Sequence, residues 1–179
     1  IDPAGRTPEP EAVLREMQAR LVHRGPDDAG VFSEAPVWMA HTRLAIVDLS
    51  PEGRQPFVLR DGPSAPPIVA AINGEIYNHL ELRALAREGQ PGARIPASDC
   101  GVVPWLWRRD GSATLRSLQG MYGLALWDGR DATLTLARDP AGQKPMYYAP
   151  LPGGGLAFGS ELKAILAHPL VTREIDPVA

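Results

Sequence analysis

Residues 122–139, YGLALWDGRDATLTLARD, constrain the fold more than any other stretch, because two β-rich runs flank Asp128, Gly129, Arg130 and Asp131. Apolar runs of this length bounded by Gly and Asp read as neighbouring antiparallel strands joined by a turn. MYYAPL and GLAFGS make a second pair of this kind across a proline- and glycine-rich loop. GVF, VWMAH and LAIVDL, all between Gly30 and Leu49, read as further strands, as does the apolar run 68–72, while GPSAPP at 62–67 is a loop.

Helical spacing is rarer. Thr7-Pro8 can serve as cap and first helical residue, with Glu9 and Glu11 in the first turn. Val13, Leu14, Met17 and Leu21 then recur at helical intervals, and the helix ends near Gly25-Pro26. Residues 80–88 form a short helix with Leu82 and Leu85 inward, and Ser160-Glu161 opens a last one, ELKAILAH. Ser98-Asp99 leads into VVPWLW, where Pro104 kinks or delays the helix at a cost of about 3 kcal/mol if nothing compensates. About nine strands and four helices, with sheet outweighing helix, predict an α+β layered domain. There is no repeat and no internal linker.

Composition narrows the function. The 179 residues are 44% hydrophobic, enough for one domain with a sizeable core. No run reaches the roughly 18 apolar residues of a spanning helix, and no basic-then-apolar stretch at Ile1 resembles a signal peptide, so a soluble chain is expected. Eighteen Lys and Arg against 21 Asp and Glu leave a net charge of −3, which favours neither nucleic acid nor an anionic membrane and points to a small neutral or zwitterionic ligand. The single Cys100 excludes an internal disulfide and fits a reducing compartment, so the cytoplasm is the expected location. His23, His41, His79 and His168 are scattered, so no metal site is expected. Neither a phosphate-binding loop nor a Gly-x-Ser-x-Gly elbow is present.

Polar residues at the ends of apolar strands remain: Arg43 in HTRLAIVD, Asn73, Gly74 and Glu75 in AAINGEIYNH, and Asp99 in SDCG. A guanidinium fork matches a carboxylate, and Glu75 and Asp99 suit an ammonium, so together they describe a site for an α-amino acid. Asn73 and the Gly74 N–H would be two donors for an oxygen that gains charge in acyl transfer. On residue types alone the plainer readings come first: Arg43 as a strand-edge ion pair, Asn73-Gly74 as a turn, Asp99 as a helix cap. By the same standard Tyr77, Trp105, Trp107 and Trp127 are core aromatics and Cys100 a small buried hydrophobe.

HRGPDDAG, HTRLAIVDLSPEGRQPF, INGEIYNHLELR, SDC, LQGMYGLALWD, LARDPAGQKPMYY and FGSELKAI follow one another in the order and spacing of the glutaminase domain of glutamine-hydrolysing asparagine synthetases. The chain thus resembles a class II glutamine amidotransferase of the N-terminal-nucleophile hydrolase type over nearly its whole length. The resemblance implies a four-layer αββα sandwich. It implies that Arg43 holds the glutamine α-carboxylate, that Asp99 and Glu75 hold the α-ammonium, and that Asn73 and Gly74 form the oxyanion hole. Backbone groups of Ile46 and Val47 would line the pocket, and the loop 24–27 would fold over the nucleophile.

The implied reaction releases glutamate and ammonia by way of an amino-terminal Cys whose own amine serves as base. Ammonia would pass to a synthetase domain of the same polypeptide, which amidates aspartate with ATP and Mg; the glutaminase domain itself needs no cofactor. A homodimer is compatible with the resemblance. Such families open Met-Cys-Gly-Ile-x-Gly, which aligns just before Ile1, and the chain ends at Pro177-Val178-Ala179 without a Ser-Gly-Gly-x-Asp-Ser motif. Residues 1–179 therefore read as the amidotransferase domain without its first strand and without the synthetase domain, inactive for want of the Cys. The alternative is a catalytically dead structural or amino-acid-binding domain, as in β-lactam-synthetase-like proteins. The segment 137–145, ARDPAGQKP, differs from the usual family form.

Overall fold

The computed structural model describes residues 1–88 and 92–174. Its centre is the antiparallel pair β4 (Ile68–Ile76) and β5 (Gly120–Asp128), in register from Ile68 opposite Asp128 to Ile76 opposite Gly120. β3 (Phe57–Leu59) and β6 (Thr133–Arg138) flank this pair in the order β3-β4-β5-β6. β1 (Asp28–Glu34) with β2 (Val37–Arg43), and β7 (Tyr147–Leu151) with β8 (Gly155–Gly159), form two separate hairpins. The helices are α1 (Pro10–Ala19), α2 (His79–Arg87), α3 (Val103–Asp110), α4 (Thr114–Ser117) and α5 (Leu162–Ile165). No described helix is long and apolar enough to cross a membrane.

Side-chain alternation on β4 builds two cores. Ile68, Ala70, Ile72 and Ile76 pack with Leu82 and Ala86 of α2 and Val103 and Leu106 of α3. Val69 faces the other way and packs with Trp127 of β5 and with Phe32, Val37 and Met39 of the β1–β2 hairpin. α1 and α5 cover the outer side of the hairpins. The layers are therefore helix, hairpin pair, four-stranded sheet, helix, the αββα order expected.

Several local expectations change. LAIVDL is a loop, not a strand; Ile46 and Val47 are 64% and 53% exposed because the chain curls round the Arg43 guanidinium, which donates to the carbonyls of Asp48 and Ser50. Asn73-Gly74 does not turn the chain: β4 runs straight through it, paired with Gly123 and Tyr122. Helix α1 begins two residues later than expected, because the Asp2 carboxylate takes the Thr7 N–H at 2.5 Å and leaves Pro10 to start the helix. Pro104 lies in the first turn of α3, where its missing N–H costs nothing, after a 3-10 turn over Cys100–Val102. The last helix is only Leu162–Ile165. Trp105, Trp107 and Trp127 are buried as expected, whereas Tyr77 is 60% exposed. The end at Pro177-Val178-Ala179 lies outside the described residues.

The lead hairpin is pinned at its turn. Asp128 accepts the Arg130 guanidinium through both oxygens, at 2.9 and 2.6 Å, and the Trp107 indole N–H at 3.0 Å. In the divergent segment 137–145, the buried Asp139 accepts the N–H groups of Tyr122, Gln143 and Lys144. That carboxylate takes the place of a strand at the turn and sets Lys144 at the edge of the cavity described next.

Candidate functional site

β3 begins at Phe57 opposite Ala70, so from Ile72 onward the outer edge of β4 has no strand beside it. Side chains satisfy that edge instead. The amide of Gln55 accepts the Ile72 N–H at 2.7 Å and donates to the Ile72 carbonyl at 3.1 Å. Asp99 accepts the Ile76 N–H at 2.9 Å, and the Cys100 thiol lies 3.6 Å from the Gly74 carbonyl. Main-chain groups alternate in direction along a strand, so the Gly74 N–H points to the same side as those of Ile72 and Ile76. It opens into a cavity lined by Arg43, Ile46, Val47, Gln55, Asn73, Gly74, Glu75 and Asp99. Every site residue read from the sequence meets in this one place.

The charges of Arg43, Glu75 and Asp99 are not locked into close ion pairs among the described residues, although the Asp48 carboxylate, despite its burial, is held below the usual carboxylate range in part by the Arg43 guanidinium. Arg43 is buried and donates only to main-chain carbonyls; among the described residues no carboxylate lies within ion-pair distance of it. Asp99, also buried, accepts the Ile76 N–H and the Ser98 hydroxyl but no cation, and Glu75 likewise has no ion-pair partner there. A buried ion outside an ion pair is costly, so a cavity that keeps Arg43 apart from Glu75 and Asp99, with Arg24, Asp48 and Lys144 also on its wall, suits a ligand carrying both signs.

Close packing holds Arg43 in place. A Cβ on Gly53 would stand 2.2 Å from Arg43 Nη2, and one on Gly25 would stand 2.4 Å from the Thr42 carbonyl carbon. Asp27 brackets Arg43, its N–H donating to the Arg43 carbonyl at 3.1 Å and its carboxylate accepting the Ala45 N–H at 2.8 Å. The loop 24–27 thus borders the cavity, and Arg24 is tied to Glu161 at 3.1 Å. Burial alone would raise the Glu161 pKa, but hydrogen bonds from Lys163, Arg24 and His23 outweigh it and hold it at about 2. Cys100 has the opposite character to a nucleophile: burial, with Asp99 and Glu75 nearby, pushes its thiol well up, so it stays a protonated donor.

On the inner face of β4 the Asn73 amide reaches Ser160 at 3.4 Å. From there a second cavity runs between the free edges of β2 and β8, floored by Ala71 and Ala125. At its far end Ile1 exchanges two main-chain hydrogen bonds with Leu156, at 3.0 and 2.9 Å, and the Asp2 N–H donates to the Pro36 carbonyl at 2.8 Å. Ile1 and Asp2 are therefore one rung of an antiparallel ladder joining the two hairpins.

The glutamine amidotransferase domain family matches residues 4–179. The chain belongs to that family. It is 35% identical over 164 residues to asparagine synthetase [glutamine-hydrolyzing] 2 of Bacillus subtilis, covering 92% of this chain and 21% of that protein. To the maize asparagine synthetase [glutamine-hydrolyzing] it is 39% identical over 152 residues, covering 84% of this chain and 24% of that protein. The chain thus spans between a fifth and a quarter of the length of these relatives. In fold it is similar to the glutamine phosphoribosylpyrophosphate amidotransferase of B. subtilis, with a TM-score of 0.71 and 22% identity over 91% of this chain and 42% of that one. The architecture is that of the N-terminal-nucleophile hydrolases.

Three residues around this cavity escape a sequence reading. Gln55 and Gly53 sit in PEGRQPF, where only the close approach of backbone to side chain reveals them. His41 opens the HTR motif and donates from Nε2 to the Ile72 carbonyl at 3.2 Å, while its buried Nδ1 has no partner among the described residues. Burial lowers the His41 pKa from 6.5 to about 4. The unfolded chain therefore takes up this proton first on acidification, so stability is full above about pH 6.5 and drains toward pH 4. The loss attributable to His41 reaches about 3 kcal/mol at the bottom of that window. Urea unfolding of wild type and His41→Gln, compared at pH 7 and 4.5, should show the smaller acid loss in the variant, since burial lowers His168 in both; equal losses would contradict the assignment.

Proposed function

We propose that this domain is the glutaminase half of a glutamine-dependent asparagine synthetase. Glutamine would lie with its α-carboxylate on Arg43 and its α-ammonium between Asp99 and Glu75. Main-chain groups at Ile46 and Val47 would line the pocket beside it. The side-chain amide then reaches Asn73 and the Gly74 N–H. The observation that carries this reading is the Gly74 N–H, without a partner among the described residues, on an edge whose neighbours Ile72 and Ile76 are satisfied by side chains, beside a buried guanidinium that makes no close ion pair among those residues.

The nucleophile comes, in this proposal, from a Cys on a strand that precedes Ile1 and seats between β2 and β8. Continuing the Ile1–Leu156 rung antiparallel to β8 brings the fourth residue before Ile1 opposite Ser160, next to Asn73, and the fifth, where Met-Cys-Gly-Ile-x-Gly has its Cys, one position beyond. The thiol passes its proton to the amine of the same Cys, and sulfur attacks the glutamine amide carbon. The carbonyl oxygen takes up negative charge between the donors of Asn73 and Gly74. The carbon–nitrogen bond breaks, ammonia leaves with the proton, and water cleaves the thioester to glutamate and the free thiol. Ammonia serves the amidation of aspartate in a synthetase domain of the same polypeptide, where ATP and Mg would be used, within the cytoplasm. A homodimer of such polypeptides is part of the same reading.

Residues 1–179 alone are accordingly expected to bind glutamine without hydrolysing it. Adding a Cys-bearing strand with a free amino terminus before Ile1 should give glutamate release, and Asn73→Ala in that protein should lower kcat about a hundredfold. Turnover by residues 1–179 alone would refute the assignment of the nucleophile. Gly53→Ala should weaken glutamine binding by about tenfold or more in calorimetric titration, by displacing the guanidinium that makes a charge-assisted contact. Gly62→Ala, with open space round its Cβ, is the control, and unchanged affinity in Gly53→Ala would count against Arg43 as the carboxylate ligand.

A further inference from the structure

The oxyanion donors sit on a strand edge that lacks a neighbouring strand, and the group that replaces one is Gln55. Its two amide atoms face the two main-chain groups of Ile72, accepting at 2.7 Å and donating at 3.1 Å, the pattern an adjacent strand would offer. Gln55 is 7% exposed, and the same carbonyl also accepts from His41 Nε2 at 3.2 Å. The Ile72 peptide is therefore held from two directions, directly before Asn73 and two residues before Gly74.

Gln55 lines the cavity, yet both polar atoms of its side chain are engaged by Ile72. It is not available to a ligand in this arrangement. What it controls is the plane of the backbone that carries the two donors. Further along the edge Asp99 fixes Ile76, and the Cys100 thiol meets the Gly74 carbonyl, so Gly74 is clamped from both sides with its N–H left open. Fixed donors stabilise a developing oxyanion without reorganising at the moment of reaction, and a strand edge free to flex loses that advantage.

We propose that Gln55 is a positioning residue for the oxyanion site, acting through the Ile72 peptide to aim the Gly74 N–H and the Asn73 amide. The inference rests on the glutaminase reading given above. It separates Gln55 from the residues that bind the α-carboxylate and α-ammonium, since those hold the ground state equally, whereas Gln55 governs charge that exists only in the transition state.

The test is steady-state glutamine hydrolysis by the full-length protein, wild type against Gln55→Ala, Gln55→Glu and Asn73→Ala. Gln55→Ala should lower kcat about tenfold or more while KM stays within about twofold. Gln55→Glu keeps an acceptor for the Ile72 N–H but sets a carboxylate oxygen against the Ile72 carbonyl, and should also lose kcat with KM kept. It covers the case in which Gln55→Ala does not fold. Inhibition by the γ-semialdehyde of glutamate, whose carbonyl forms a tetrahedral adduct with a thiol, should weaken in step with kcat. A merely structural role would raise KM in parallel or leave semialdehyde inhibition unchanged, and either result overturns the proposal. If Asn73→Ala loses kcat and the Gln55 variants do not, only Gln55 is misassigned. If wild type lacks activity or Asn73→Ala is indifferent, the glutaminase reading fails and this inference falls with it.

Discussion

The site depends on a strand that outruns its neighbour. β4 is nine residues long, and its partner on one side, β3, covers three of them. The main-chain groups beyond Ala70 on that edge must find hydrogen bonds elsewhere or stay open, because buried peptide groups without partners are expensive. Gln55, Asp99 and Cys100 meet them from two different segments of chain. Those contacts draw the loop after β2 and the turn before α3 against one edge and leave the Gly74 N–H of that edge facing the cavity between them.

Charge placement follows from the same convergence. The loop after β2 brings Arg43 to the edge wrapped in its own carbonyls, so the guanidinium is ordered by main-chain acceptors, with the Asp48 carboxylate nearby but not in a close ion pair among the described residues. Asp99 arrives with its carboxylate held by N–H and O–H donors, again without a cation. Had Arg43 and Asp99 paired with each other, the cavity would have been more stable empty and less able to hold a zwitterion. The glycines at 25 and 53 are the steric condition for this arrangement, since side chains there would occupy the space of Thr42 and of the guanidinium.

Much of the fold was legible in the sequence because its signals are local. The β5–β6 and β7–β8 hairpins lie where their turn residues put them, Leu82 of α2 is buried as its spacing predicts, and Trp105, Trp107 and Trp127 are core aromatics as their residue type suggests. LAIVDL misled because β-prone apolar residues were recruited to a loop by one arginine, an override of propensity by a tertiary contact. Asn73-Gly74 is misleading in the opposite way: a strong turn pair lies inside a strand, where glycine is needed because a Cβ would stand 1.9 Å from the Met121 carbonyl oxygen. The residues Arg43, Asn73, Gly74, Glu75 and Asp99 were readable as chemistry, and their convergence as a resemblance. Gln55 was not, since nothing in RQPF says that an amide will stand in for a strand.

The most direct measurement is a glutamine titration of residues 1–179 followed by the backbone amide resonances. The account predicts that the Gly74 N–H shifts most strongly downfield, as it gains the oxygen of the glutamine side chain, with Asp99 and the loop after Arg43 moving along the same binding curve. Saturation of the protein with glutamine while Gly74 stays still, or shifts confined to the channel between β2 and β8, would contradict the assignment of this strand edge as the oxyanion site.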